Sequence, residues 1–137
     1  MAQQAAAQKI NHIFDESARR ESAAEPVIDL VHLSRQTLGD TALESELLRL
    51  FDAQARAFVA RLRAPTAQGE TARDLQPRID LAHTLKGSSR AIGAFALAEA
   101  AGAYEDALRG GGAEAGVSPR GLLAALENAS EEIARLL

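Results

Sequence analysis

Apolar residues recur every three or four positions along most of the chain, and the recurrence breaks at a few prolines and glycines. Asp29 reads as the N-cap of a short helix carrying Leu30, Leu33 and Thr37, with Gly39 just beyond its end as a stop. A second helix starts at Asp40 or Thr41 and runs to about Arg63, with Leu43, Leu47, Leu50, Phe51, Phe58 and Leu62 at helical spacing. Pro65, Gly69 and Pro77 punctuate the link to a third helix, in which Leu81, Leu85, Ser88 and Ile92 form one buried stripe. Gly93 closes it. Leu97, Ala101, Tyr104 and Leu108 repeat the stripe on a fourth helix, which the glycine run from Gly110 to Gly112 ends. Ser118 as N-cap and Pro119 at the first helical position begin a fifth, with Leu122, Leu126, Ala129, Ile133 and Leu137 facing inward.

Four long amphipathic helices with short connections predict an all-α fold, an antiparallel up-down four-helix bundle with a short additional N-terminal helix capping one end. Residues 25–137 make up this domain. Residues 1–24 are rich in alanine, glutamine and charge, and their bulky apolar side chains are Ile10, Ile13 and Phe14. They are read as an N-terminal extension that docks as a marginal helix or frays.

Composition narrows the function without naming it. A length of 137 residues fits one core, and an aromatic content of 4% favours helices over sheets. The absence of cysteine removes disulfides, thiol nucleophiles and cysteine zinc sites. A net charge of -4 argues against broad nucleic-acid binding, which concentrates lysine and arginine. The least polar stretch, Ala91 to Ala98, is far shorter than the roughly 20 apolar residues a bilayer span needs. No secretory signal pattern opens the chain, so the expectation is a cytoplasmic monomer that binds neither membrane nor nucleic acid.

The third helix holds the segment with chemistry in it, His83-Thr84-Leu85-Lys86-Gly87-Ser88-Ser89-Arg90-Ala91-Ile92-Gly93-Ala94. At about 100° per residue, His83, Lys86, Gly87 and Arg90 share one face, opposite the leucine stripe, so His83 is expected to face solvent. A neutral imidazole has an unprotonated nitrogen that can attack phosphorus without a separate base. Lys86, one turn on, can supply ammonium donors to phosphoryl oxygens. Gly87 costs about 1 kcal/mol in a helix interior relative to alanine, and the open space it leaves beside the histidine suits close approach by a partner. Arg90 adds a positive charge that suits docking on an acidic pocket.

A histidine or lysine alone on a helix is more often structural or merely solvated; it is the spacing of the four residues that makes the case. His12 and His32 have no motif around them, and no His-Glu-x-x-His or cysteine pair suggests a metal site. Gly110 to Gly112 lacks the Lys-Ser/Thr pair of a phosphate loop, and Ser88 and Ser89 lack the context of a hydrolase elbow.

Taken together, His83 to Ala94 resembles the signature of histidine-containing phosphotransfer domains: a histidine, lysine and glycine at i+3 and i+4, small residues, then a closing hydrophobe and glycine. The resemblance extends from about Asp29 to Leu137. It implies a phosphocarrier, not an enzyme with its own ATP site, that is phosphorylated on the outward imidazole nitrogen of His83, with Lys86 stabilising phosphoryl charge and Gly87, Arg90 and Ile79 in partner docking. The implied partners are receiver domains of response regulators and hybrid histidine kinases in a bacterial-type phosphorelay. Magnesium is implied on the receiver, with no cofactor bound by this chain. Some family members place glutamine near the phosphohistidine; Glu105 falls there, and its charge opposes a phosphate-binding role. Two rival readings are the phospho-accepting domain of a larger chemotaxis-type kinase and a helical adaptor that is never phosphorylated.

Overall fold

The computed structural model describes residues 25–64, 75–110 and 117–137. The expectations for residues 1–24, Pro65, Gly69, Gly111 and Gly112 lie outside these. The described residues form five helices: α1 (Leu30–Gln36), α2 (Thr41–Arg63), α3 (Gln76–Ile92), α4 (Phe95–Arg109) and α5 (Arg120–Leu136). No strand occurs among them. The four long helices close a ring in which α2 packs on α3 and α5, and α4 packs on α3 and α5. Paired residues run in opposite directions along each seam. Leu62 meets Arg78 while Phe51 faces Ile92 across the α2/α3 groove, and His83 meets Glu105 while Lys86 lies against Gly102 on α3/α4. The result is the expected antiparallel bundle, and α1 sits against α2 and α3.

Local chemistry sets the helix ends. Asp29 caps α1 by accepting from His32 N–H at 3.0 Å, and Asp40 caps α2 by accepting from Leu43 N–H at 3.1 Å. Thr37 joins the two helices: its hydroxyl lies 3.1 Å from the Leu33 carbonyl and 3.1 Å from Glu44 Oε1. At the base of α2, Arg78 donates to the carbonyls of Leu62 and Ala64 and to the Tyr104 hydroxyl, satisfying orphan carbonyls of a helix end. The fifth helix begins one residue later than expected. Pro119 precedes its first turn, and the Ser118 hydroxyl accepts from Arg120 N–H at 3.2 Å.

The core departs from the sequence reading at particular positions. On α2 the buried residues are Leu48, Phe51, Ala55 and Leu62, whereas Leu43 is 43% and Leu50 57% exposed. These two leucines lie about 100° or more round the helix from the buried stripe, and Leu50 borders the α2/α3 groove with Ser88, Ala91 and Ile92. On α3 it is Ser89 that is fully buried, with Ser88 at the edge of the stripe. Leu30 and Leu137 are exposed at helix ends. The α4 stripe of Leu97, Ala101, Tyr104 and Leu108 is buried as expected, and so are Leu122, Leu126, Ala129 and Ile133 on α5.

Gly93 fixes where α3 stops and where α1 docks. Its φ of 84° is left-handed, and Asp29 N–H donates to its carbonyl at 2.9 Å. A Cβ there would meet Asp29 O at 2.7 Å and Asp29 N at 3.2 Å, both backbone atoms. Gly93→Ala therefore combines a left-handed penalty with a backbone clash and is expected to cost about 2 to 4 kcal/mol. Urea unfolding checks this: the midpoint should fall with an unchanged slope, and an unaltered midpoint would show that α1 does not seat on Gly93.

Candidate functional site

The site is built on the seam between α3 and α4. The outward face of α3 carries His83, whose side chain is 69% exposed, with Gly87 and Arg90 exposed beside it. Nothing lies within 4 Å of the position a Cβ would take on Gly87, so this glycine is not packed against another helix. Lys86 is turned toward α4, where its stem passes over Gly102, 3.3 Å from where a Cβ would stand.

Ile79 is a correction. Expected in partner docking, it is 4% exposed and belongs to the hydrophobic core. It lies seven residues before Lys86, hence on the same α4-facing edge of α3, and at this end of the seam an aliphatic side chain is drawn inward.

Facing His83 from α4 is Glu105, a carboxylate only 4% exposed. Its Oε2 lies 3.1 Å and its Oε1 3.3 Å from His83 Nδ1. Arg109, one turn on, donates to Oε2 from Nε at 3.2 Å and from Nη2 at 3.0 Å. Lys86 Nζ stands 3.8 Å from Oε1. Burial alone pushes the Glu105 carboxyl up, but the hydrogen bonds from Arg109 and His83 and the positive charge on those partners outweigh it, and the group sits below its ordinary value. Glu105 is therefore ionised near neutral pH.

An ionised carboxylate only accepts hydrogen bonds, so His83 Nδ1 must donate. In the neutral ring that places the proton on Nδ1 and leaves the lone pair on Nε2, the ring nitrogen turned away from Glu105. The arrangement is that of an oriented nucleophile: an exposed imidazole nitrogen, a buried carboxylate that aligns the ring, and an ammonium group alongside.

The structure thus brings His83 and Lys86 together with Glu105, and leaves Arg90 on the outer face without a side-chain bond to them. Sequence reading placed Glu105 near the histidine but missed its part as the partner of Nδ1, and missed Arg109 altogether. A signal was present: Glu105 lies four residues after Ala101 and three before Leu108, inside the apolar stripe of α4, with arginine at i+4.

Among the described residues, no helix is long and apolar enough to cross a membrane. No curated protein and no solved structure matches the chain. A sequence model of the Hpt domain does match, over residues 46–135, from early in α2 nearly to the end of α5 and across every residue of the site, while α1 lies outside it. With the α3 signature, the helical bundle and most of the chain in agreement, this protein belongs to the Hpt domain family.

Proposed function

We propose that this chain is a phosphocarrier that takes a phosphoryl group from the aspartate of one receiver domain onto His83 Nε2 and yields it to the aspartate of another. Hpt domains in general serve histidine phosphotransfer in phosphorelays and interact with receiver domains. The observation that carries the reading is the Glu105 bond to His83 Nδ1, which in the neutral ring leaves the lone pair on Nε2 of a largely exposed side chain. In the forward step the Nε2–P bond forms as the aspartyl O–P bond breaks, and the electron pair of that bond returns to the aspartate carboxylate. The Nδ1 proton stays in its bond to Glu105, whose negative charge balances the positive charge that develops on the ring. Lys86 supplies an ammonium group to the phosphoryl oxygens, and magnesium belongs to the receiver. Arg90 and Gly87 form the docking side of the site.

Incubation with a phosphorylated receiver tests the reading. Acid-labile phosphate should appear on the chain, and none should appear with ATP alone. Failure to take phosphate from any phosphorylated receiver of its source would refute the phosphocarrier reading and leave the adaptor and the kinase-domain readings.

Gly87 separates docking clearance from packing. Because open space surrounds it, Gly87→Ala should raise the melting temperature through helix propensity, worth up to about 1 kcal/mol. Gly87→Leu should also fold, yet transfer should fall sharply because the side chain would stand one turn from Nε2. Thermal unfolding and transfer rates on the two variants decide it. Normal transfer by Gly87→Leu, or a less stable Gly87→Ala, would refute the clearance role.

A further inference from the structure

Glu105 creates a conflict that the phosphocarrier reading leaves open. A buried carboxylate bonded to an imidazole alone favours the imidazolium, since the ion pair is strong in a medium of low dielectric constant. An imidazolium has no lone pair on Nε2. The group that aligns the ring would then also disarm it.

Lys86 and Arg90 on α3 and Arg109 on α4 are cationic side chains of the two helices of the site. Arg90 is on the outer face of α3, away from the carboxylate, and Lys86 Nζ at 3.8 Å is beyond hydrogen-bond distance. Arg109 differs from both. Its Nε and Nη2 both donate to Oε2, the oxygen nearest His83 Nδ1, and its guanidinium keeps its charge at every accessible pH. The i,i+4 spacing on α4 places it there without help from any loop.

We propose that Arg109 is a positioning residue for His83: by bonding Glu105 Oε2 at two points it fixes the carboxylate and balances its charge, so that Glu105 selects the Nδ1–H tautomer without converting the ring to imidazolium. The inference rests on the phosphocarrier reading for its purpose, but its physical content is the protonation state of one ring. Arg109 touches neither phosphate nor receiver in this role. Its side chain is half exposed, so replacement leaves the core intact.

The test uses Arg109→Gln and Arg109→Lys in the full chain, with two readouts against pH: the ¹⁵N signals of the His83 ring, and the transfer rate from a phosphorylated receiver relative to wild type. In wild type the neutral ring should carry its proton on Nδ1. In Arg109→Gln the imidazolium signature should persist to higher pH than in wild type. The transfer profile should move to the alkaline side, with a several-fold loss at pH 7 that is recovered at higher pH. Arg109→Lys, which keeps the charge but not the two-point bond, should fall between. Ring signals in Arg109→Gln that titrate as in wild type would overturn the proposal, as would an equal loss of rate at every pH. The ring signals need no phosphoryl donor. A wild-type chain that accepts no phosphate would therefore sink the phosphocarrier reading while the role of Arg109 is still decided.

Discussion

His83→Gln is expected to abolish acid-labile phosphate on the chain and leave the bundle folded. The side chain is 69% exposed and contributes nothing to the core, so the change in stability should stay within about 0.5 kcal/mol. Glutamine can still donate to Glu105 from its amide, which keeps the buried carboxylate partnered, but an amide nitrogen has no lone pair available to attack phosphorus. No other described histidine can take over. His32 packs edge-on against Phe95 with ring centroids 5.1 Å apart, and its Nε2 is buried. Labelling from a phosphorylated receiver, run beside a circular dichroism melt, measures both parts. Phosphate at wild-type levels on the variant would remove His83 as the acceptor.

Glu105→Ala should have the second largest effect on transfer. Losing a charge-assisted hydrogen bond costs about 1.5 to 3 kcal/mol, roughly one to two orders of magnitude in rate. The ring would no longer be held with Nε2 outward, and the positive charge developing on it would lack its counter-charge. Glu105→Gln should keep more activity, since its carbonyl oxygen can still accept from Nδ1. The same substitution has a pH signature in stability. The native carboxyl lies below its ordinary value, so the ionised group stabilises the fold at pH values above that ordinary range. That contribution is lost as pH falls through the lowered native value. Acid unfolding of the wild type should therefore be steeper than that of Glu105→Gln, and the two proteins should converge in stability at low pH. Parallel curves, or transfer by Glu105→Ala at the wild-type rate, would show that the bond seen to Nδ1 has no functional weight.

The helices were legible because their signals are local. Asp29, Asp40 and Gly93 mark ends through cap chemistry that depends on adjacent residues alone, and each lies where the sequence places it. The stripes on α4 and α5 were equally plain, since each helix has one apolar side. On α2 the leucines outnumber the positions that can be buried. Which of them turn inward depends on where α3 and α5 lie, so Leu43 and Leu50 were misassigned while Ala55, too small to stand out, is fully buried. Ile79 was misplaced for a related reason. Its angular position is shared with Lys86, and whether that edge is surface or seam is decided by α4. The site itself was half readable. His83, Lys86 and Gly87 are close in sequence on one helix, whereas Glu105 reaches the ring across the seam from 22 residues away and Arg109, four residues further on, bonds Glu105. A periodicity that counts charged residues as surface passes over a buried carboxylate.

One measurement bears most directly on the central claim: ¹⁵N and ³¹P NMR of the chain after phosphorylation by a receiver, with the histidine rings labelled. The expected result is a single phosphorus coupled to Nε2 of His83, with the Nδ1 proton retained and slowed in exchange by its bond to Glu105. Phosphorus coupled to Nδ1 of His83, or to the ring of His12 or His32, would contradict the geometry on which the proposed transfer depends.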